Sequence, residues 1–125
     1  MNGVKYKILL VDDSRISRLS LIRQLNALDA DFEILQAVSA DEAEAVMQDQ
    51  VVEAALIDFN MVGRNGVELA EVFQRTHPSM RMAIVTANIQ DALMKRVQAM
   101  GITFIAKPTN STQLADFLEV THAHE

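Results

Sequence analysis

Four charged side chains stand where apolar runs stop. Asp12 and Asp13 follow "YKILLV" (6–11), Asp58 closes "EAALID" (53–58), and Lys107 closes "TFIAK" (103–107), just before Pro108. Thr86 ends a further run, "RMAIVTA" (81–87). If these runs are neighbouring strands, three carboxylates, a hydroxyl and an ammonium meet at one edge. Carboxylates that close do not all stay ionised without a counter-charge. Lys107 offers one and a divalent cation offers another. An all-oxygen donor set with no His or Cys suggests Mg²⁺, which keeps several waters and takes one or two carboxylates plus phosphate oxygens.

Plainer readings exist for each residue. Asp12 and Asp13 could serve as turn and cap residues ahead of a helix. Asp58 could open a turn with Asn60, and the Thr86 hydroxyl could bond its own backbone. Lys107 is harder to dismiss, because an apolar strand seldom ends in Lys–Pro by accident. The plain readings defeat a reaction centre only if all of them hold together. The 7 Met residues read as core fillers. His77, His122 and His124 read as surface residues, so no phosphate donor is expected within the chain.

Elements that alternate must position these groups. The apolar runs at 6–11, 32–38, 53–58, 81–87 and 103–107 read as strands. Between and after them, 14–28, 40–48, 66–77, 90–100 and 111–121 read as helices. Ser14 and Ser39 are placed to cap two of them, Pro78 ends a third and Gly101 stops a fourth. In the first helix, Ile16, Leu19, Ile22, Arg23 and Leu25 recur at helical spacing. The strands are continuous apolar runs rather than alternating ones, as in a parallel sheet covered on both faces. Right-handed crossovers then give an α/β doubly wound (βα)5 sheet of flavodoxin-like strand order 2-1-3-4-5, with helices on both faces. Ligands in such sheets bind at the carboxyl ends of the strands where the winding reverses, here between the first and third strands.

Composition removes other classes. The chain has 125 residues, a length that fits one domain spanning 1–125. A net charge of -6 and a pI near 5.0 disfavour direct binding to nucleic acid or an anionic membrane. The absence of cysteine excludes disulfides and thiolate chemistry. No window approaches the roughly 20 apolar residues of a membrane helix, and "MNGVKYKILLVDD" is not a signal peptide, so a cytoplasmic location is expected.

Taken in order, "ILLVDDS", "LIDFNMVGRNGVEL", "IVTAN" and "FIAKP" resemble the receiver domain of two-component response regulators, CheY-like, across essentially the whole chain. The resemblance implies that Asp58 accepts a phosphoryl group from a histidine kinase. It implies that Asp13, Asp58 and the main-chain carbonyl of Asn60 bind Mg²⁺ (or Mn²⁺), with Asp12 helping through water. It implies that Thr86 and Lys107 contact the phosphoryl oxygens. Phe104 occupies the family's aromatic switch position, and Asn60 and Asn88 occupy positions that tune self-dephosphorylation. Two stretches depart from the family pattern: Val62 stands where Pro is usual, and "GRNG" (63–66) replaces a more usual acidic or apolar lead into the third helix. Neither is expected to touch phosphate, so the change is expected to fall on loop stiffness.

The implied partners are a histidine kinase or phosphotransfer protein and a downstream protein target. That target would meet the face made by the fourth helix, fifth strand and fifth helix, near Lys95, Arg96, Ile102 and Phe104. A phosphorylation-dependent homodimer is a further arrangement, and no output domain is expected within the chain. Two rivals belong to other classes. One is a pseudo-receiver that binds partners without phosphate. The other is a Mg²⁺-dependent aspartyl-phosphate phosphohydrolase, against which "DFN" places Asn60 where an acid/base Asp would be needed. Nucleotide or flavin binding is weaker still, since "DDSR" lacks the glycines that cradle phosphate.

Overall fold

The computed structural model of the chain describes residues 6–120. Five strands and five helices alternate: β1 (Tyr6–Val11), α1 (Arg15–Asn26), β2 (Phe32–Ala37), α2 (Ala40–Val46), β3 (Ala54–Asp58), α3 (Gly66–Thr76), β4 (Arg81–Thr86), α4 (Asp91–Ala99), β5 (Thr103–Ala106) and α5 (Ser111–Leu118). Each element read from the sequence is present, and no end moves by more than three residues. His122, His124, Thr121 and the "MNG" start lie outside the described residues.

All strand pairs are parallel, in the order β2-β1-β3-β4-β5. β3 is buried at every residue, Asp58 included, and β1 is buried from Ile8 onward. Side chains alternate across the sheet and feed two cores. Leu9, Val11, Ala55, Ile57 and Ile84 face α2, α3 and α4, whereas Ile8, Leu10, Leu56, Val85 and Ile105 face α1 and α5. Fully burying one such Leu or Ile stabilises the fold by about 1.5–3 kcal/mol, so the two cores hold the strand ends in fixed register.

Helix starts follow from capping chemistry. Asn65 and Asn110 cap α3 and α5 in reciprocal boxes with Glu68 and Gln113. Ser39 accepts the Glu42 N–H at the start of α2, and Ser14 accepts the Ser17 N–H at the start of α1. The residues at helical spacing in α1 are only partly its buried face. Ile16 is 82% exposed and Leu19 is 45% exposed, while Leu21, Leu25 and Leu28 carry the buried stripe beneath α1.

Candidate phosphoryl-acceptor site

Register brings the charged strand ends together. Val11 pairs with Ile57, so Asp12 emerges beside Asp58. Asp58 pairs with Val85, and Thr86 pairs with Ala106, the residue before Lys107. Three carboxylate oxygens, one each from Asp12, Asp13 and Asp58, lie within 4.8 Å of one another. Asp12 and Asp58 are 2% and 7% exposed, whereas Asp13 faces solvent. The Lys107 ammonium lies 3.1 Å from Asp12 Oδ2 and 3.4 Å from Asp58 Oδ1.

The surroundings hold each carboxylate differently. Asp12 Oδ1 accepts the Ser14 N–H at 2.9 Å, and its main-chain carbonyl accepts from Arg18 Nη1 at 2.7 Å. Arg18 also donates from Nε to Gln36 Oε1 at 2.9 Å, tying α1 to β2. Asp13 Oδ2 accepts the Val62 N–H at 3.4 Å. A proline at that position would have no N–H to give, so this contact belongs to the departure noted in the sequence. Asp58 has a pKa pushed up to about 6, first by burial and then by the Asp12 carboxylate, with Lys107 opposing both.

The donor set fits a hard divalent cation. It is all oxygen, two of the three carboxylates are buried, and the ammonium paired with them among the described residues is Lys107 alone. The three acids together could hold the ion.

The remaining residues named from sequence fall around this centre. Thr86 is fully buried at the end of β4, and its Oγ1 accepts the Asn88 N–H at 3.0 Å, so the plain reading of that hydroxyl describes this conformation. Asn88 is half-buried, and its Oδ1 accepts the Gln90 N–H at 3.2 Å. Asn60 is exposed, two residues beyond Asp58. Phe104 is half-buried and packs against the core beneath α2, α3 and α4.

Three contributors escaped the sequence reading. Ser17 Oγ accepts from the Lys107 ammonium at 2.8 Å. Gly66 lies so near the Asp58 main chain that a Cβ would stand 2.9 Å from its carbonyl carbon. Arg64 bridges the loop after Asp58 to α2, meeting Asp41 at 2.6 Å and Glu44 at 2.5 Å. Arg64 and Gly66 show in the sequence only as parts of the atypical "GRNG" (63–66), and Ser17 not at all.

A parallel sheet of this order with an acid-rich carboxyl edge defines a flavodoxin-like switch-point site. The chain belongs to the response regulator receiver domain family, whose model matches residues 8–119. It is 31% identical over 111 residues to the alginate biosynthesis transcriptional regulatory protein AlgB of Pseudomonas aeruginosa, covering 86% of this chain and 24% of that protein. A CheY-like response regulator receiver domain protein of Methanospirillum hungatei shares its structure with a TM-score of 0.80 at 26% identity, covering 93% of this chain and 92% of that one. Chemotaxis protein CheY4 of Vibrio cholerae matches with a TM-score of 0.81 at 25% identity, covering 93% and 98%. The chain spans 24% to 62% of the length of the first four curated relatives. Among the described residues no helix is long and apolar enough to cross a membrane.

Proposed function

We propose that Asp58 is a phosphoryl acceptor and that its modification switches the chain between two partner-binding states. The observation that carries this reading is the placement of the buried Asp58 carboxylate 3.4 Å from Lys107 and within reach of two further carboxylates. An Asp58 carboxylate oxygen attacks phosphorus of a phosphohistidine on a histidine kinase or phosphotransfer protein. The new O–P bond forms as the N–P bond breaks, and its electron pair returns to the imidazole nitrogen, which takes a proton from solvent. The acceptor is already anionic when it attacks, so no general base is required. Phosphoryl transfer depends on positioning and charge neutralisation more than on covalent help. Lys107 supplies a cation to the phosphoryl oxygens, and Thr86 supplies a hydroxyl once released from the Asn88 N–H. Asp12, Asp13, Asp58 and the Asn60 carbonyl would hold Mg²⁺ or Mn²⁺, which when bound supplies neutralising charge for the transferring group.

Reversal is hydrolysis. Water attacks phosphorus, the P–O bond to Asp58 breaks, the carboxylate is restored and a proton passes to solvent. Asn60 and Asn88 stand near that approach and tune its rate.

Switching follows from the added charge and acceptor oxygens. Thr86 moves toward the phosphoryl group and Phe104 turns into the space vacated, which reshapes the surface of α4, β5 and α5. The phosphate acts only through its preference for one of two states. Lys95 and Arg96 are exposed on α4; Arg96 is paired with Glu71 of α3 at 3.1 Å, so Lys95 is the cation that suits an acidic partner segment or a second copy of the chain. The setting is the cytoplasm, and contacts to DNA such as a transcriptional regulator makes would come from other domains. If Phe104→Ala leaves partner binding fully phosphate-dependent, the aromatic route is wrong.

Intact-protein mass with acetyl phosphate, with and without Mg²⁺, tests the acceptor assignment on wild type and Asp58→Ala. A Mg²⁺-dependent gain of one phosphoryl group, lost in the variant, is expected. No gain under any condition would leave a partner-binding module without phosphate chemistry.

A further inference from the structure

The main chain of Lys107 is fixed on both sides. Its N–H donates to the Thr86 carbonyl at 2.9 Å. The residues that follow are pinned to α1 by Gln24, which donates from Nε2 to the Thr109 carbonyl at 3.0 Å and accepts the Thr109 hydroxyl at Oε1 at 2.6 Å. The Gln24 carbonyl also accepts the Ser111 hydroxyl at 3.2 Å. With the backbone held, the acceptors within reach decide where the ammonium sits. There are three: Ser17 Oγ at 2.8 Å, Asp12 Oδ2 at 3.1 Å and Asp58 Oδ1 at 3.4 Å. An ammonium has three donors, and the shortest of its contacts is to the neutral oxygen.

The start of α1 explains why that hydroxyl is available. Ser17 sits three residues beyond its N-cap, where α3 has Glu68 and α5 has Gln113. Those longer side chains reach back to the N-cap N–H, as Glu68 Oε1 does to Asn65 at 2.8 Å. A serine is too short to do so. The Ser14 N–H is taken by Asp12 Oδ1 instead, and the Ser17 hydroxyl turns to Lys107.

We propose that Ser17 is a positioning residue for Lys107, holding the ammonium on the α1 side of the pocket so that it faces Asp58 without closing on it. The inference rests on the phosphoryl-acceptor reading of Asp58 for its kinetic consequence. Lysine is a point charge on a flexible four-carbon stem. Without the hydroxyl, opposite charge draws it from its 3.4 Å separation into closer contact with the Asp58 carboxylate. There it covers the oxygen that must attack and crowds the space among the acids.

Ser17→Ala and Ser17→Thr, each made in wild type and in Lys107→Met, test this. Phosphorylation by acetyl phosphate, followed by mass, is expected to slow roughly tenfold in Ser17→Ala, the scale of one hydrogen bond to a charged group. Ser17→Thr keeps the hydroxyl and is expected to restore the rate. Adding Ser17→Ala to Lys107→Met should cost nothing further. In metal-free protein, the ε-methylene ¹H–¹³C signal of Lys107, assigned by its loss in Lys107→Met, is expected to shift in Ser17→Ala and hold in Ser17→Thr. An unmoved signal overturns the proposal, as does a rate loss that persists without Lys107. A shifted signal in a protein that never takes phosphate would sink the acceptor reading and leave the hold of Ser17 on Lys107 standing.

Discussion

Gly66 packs its α-carbon against the main chain of Asp58. A Cβ at this position would overlap the Asp58 carbonyl oxygen and stand 2.9 Å from the carbonyl carbon and 3.0 Å from Ile57 Cγ2. The Gly66 N–H donates to the Phe59 carbonyl at 3.0 Å, so the first turn of α3 is bonded to the chain it leaves. The obstacle is backbone at the end of a fully buried strand, which cannot swing aside as a long side chain could. Gly66→Ala is therefore expected to destabilise the fold by about 1–3 kcal/mol, the usual range for overpacking. Urea unfolding monitored by circular dichroism measures it. A cost below a few tenths would mean that α3 shifts without strain.

The raised pKa of Asp58 gives stability and reactivity opposite pH dependences. Its folded-state value of about 6 exceeds the unfolded value of 3.8, so ionisation is harder in the folded chain. The contribution to stability is fully present below pH 4 and is lost as pH rises through about 6. Asp58→Asn removes that dependence and is expected to be more stable than wild type at pH 7.5, by on the order of 2 kcal/mol. The advantage should vanish near pH 4. Phosphorylation needs the anion, so its rate at sub-saturating Mg²⁺ should fall as pH drops through about 6. Unfolding curves and rates across pH 4–8 check both halves, and a flat stability difference would contradict the burial argument.

A cation that binds the folded pocket and not the unfolded chain must stabilise the fold. Mg²⁺ at a hundred times its dissociation constant would add about 2.7 kcal/mol. The melting temperature of wild type is expected to climb with Mg²⁺ concentration. Asp13→Asn should lose most of that climb, since it removes one of the three clustered carboxylates and leaves the buried Asp12 and Asp58 in place. Equal climbs in both proteins would place the ion elsewhere.

Residues at the ends of apolar runs were legible because strand ends are set by local pattern. Asp12, Asp13, Asp58 and Lys107 needed only the strand order to meet, and continuous apolar runs imply a parallel sheet covered on both faces. The buried face of α1 was left open by the sequence for a reason of the same kind. Helical spacing picks out Ile16–Leu19–Ile22 as readily as Leu21–Leu25–Leu28, and only packing against α5 and β1 selects the second. Ser17 left no trace in the sequence, because a serine within an amphipathic helix carries no sign of which strand end it faces. Arg64 was noticed only as a departure. Its partners on α2 are 20 and 23 residues earlier in the chain, beyond any local pattern.

Arg64 ties the loop after β3 to α2 by an electrostatic contact. Its guanidinium meets Asp41 and Glu44 of α2 in a two-armed bridge. The loop it holds, 59–65, also carries the Val62 N–H that bonds Asp13. The charges are solvent-exposed to differing degrees, and exposed pairs typically contribute less than about 1 kcal/mol. Sharing one planar fork lowers the entropy cost of the second arm. Arg64→Met is therefore expected to cost under about 1 kcal/mol of stability at low salt, and the difference should nearly disappear near 1 M salt, where screening reaches about 3 Å. A specific effect should survive on the loop itself. Amide hydrogen exchange at 61–64 is expected to quicken in Arg64→Met and in Glu44→Gln, with the rest of the sheet unchanged. Exchange that quickens throughout the molecule would mean a global loss of stability instead, and unchanged exchange would mean that Arg64 decorates the loop without holding it.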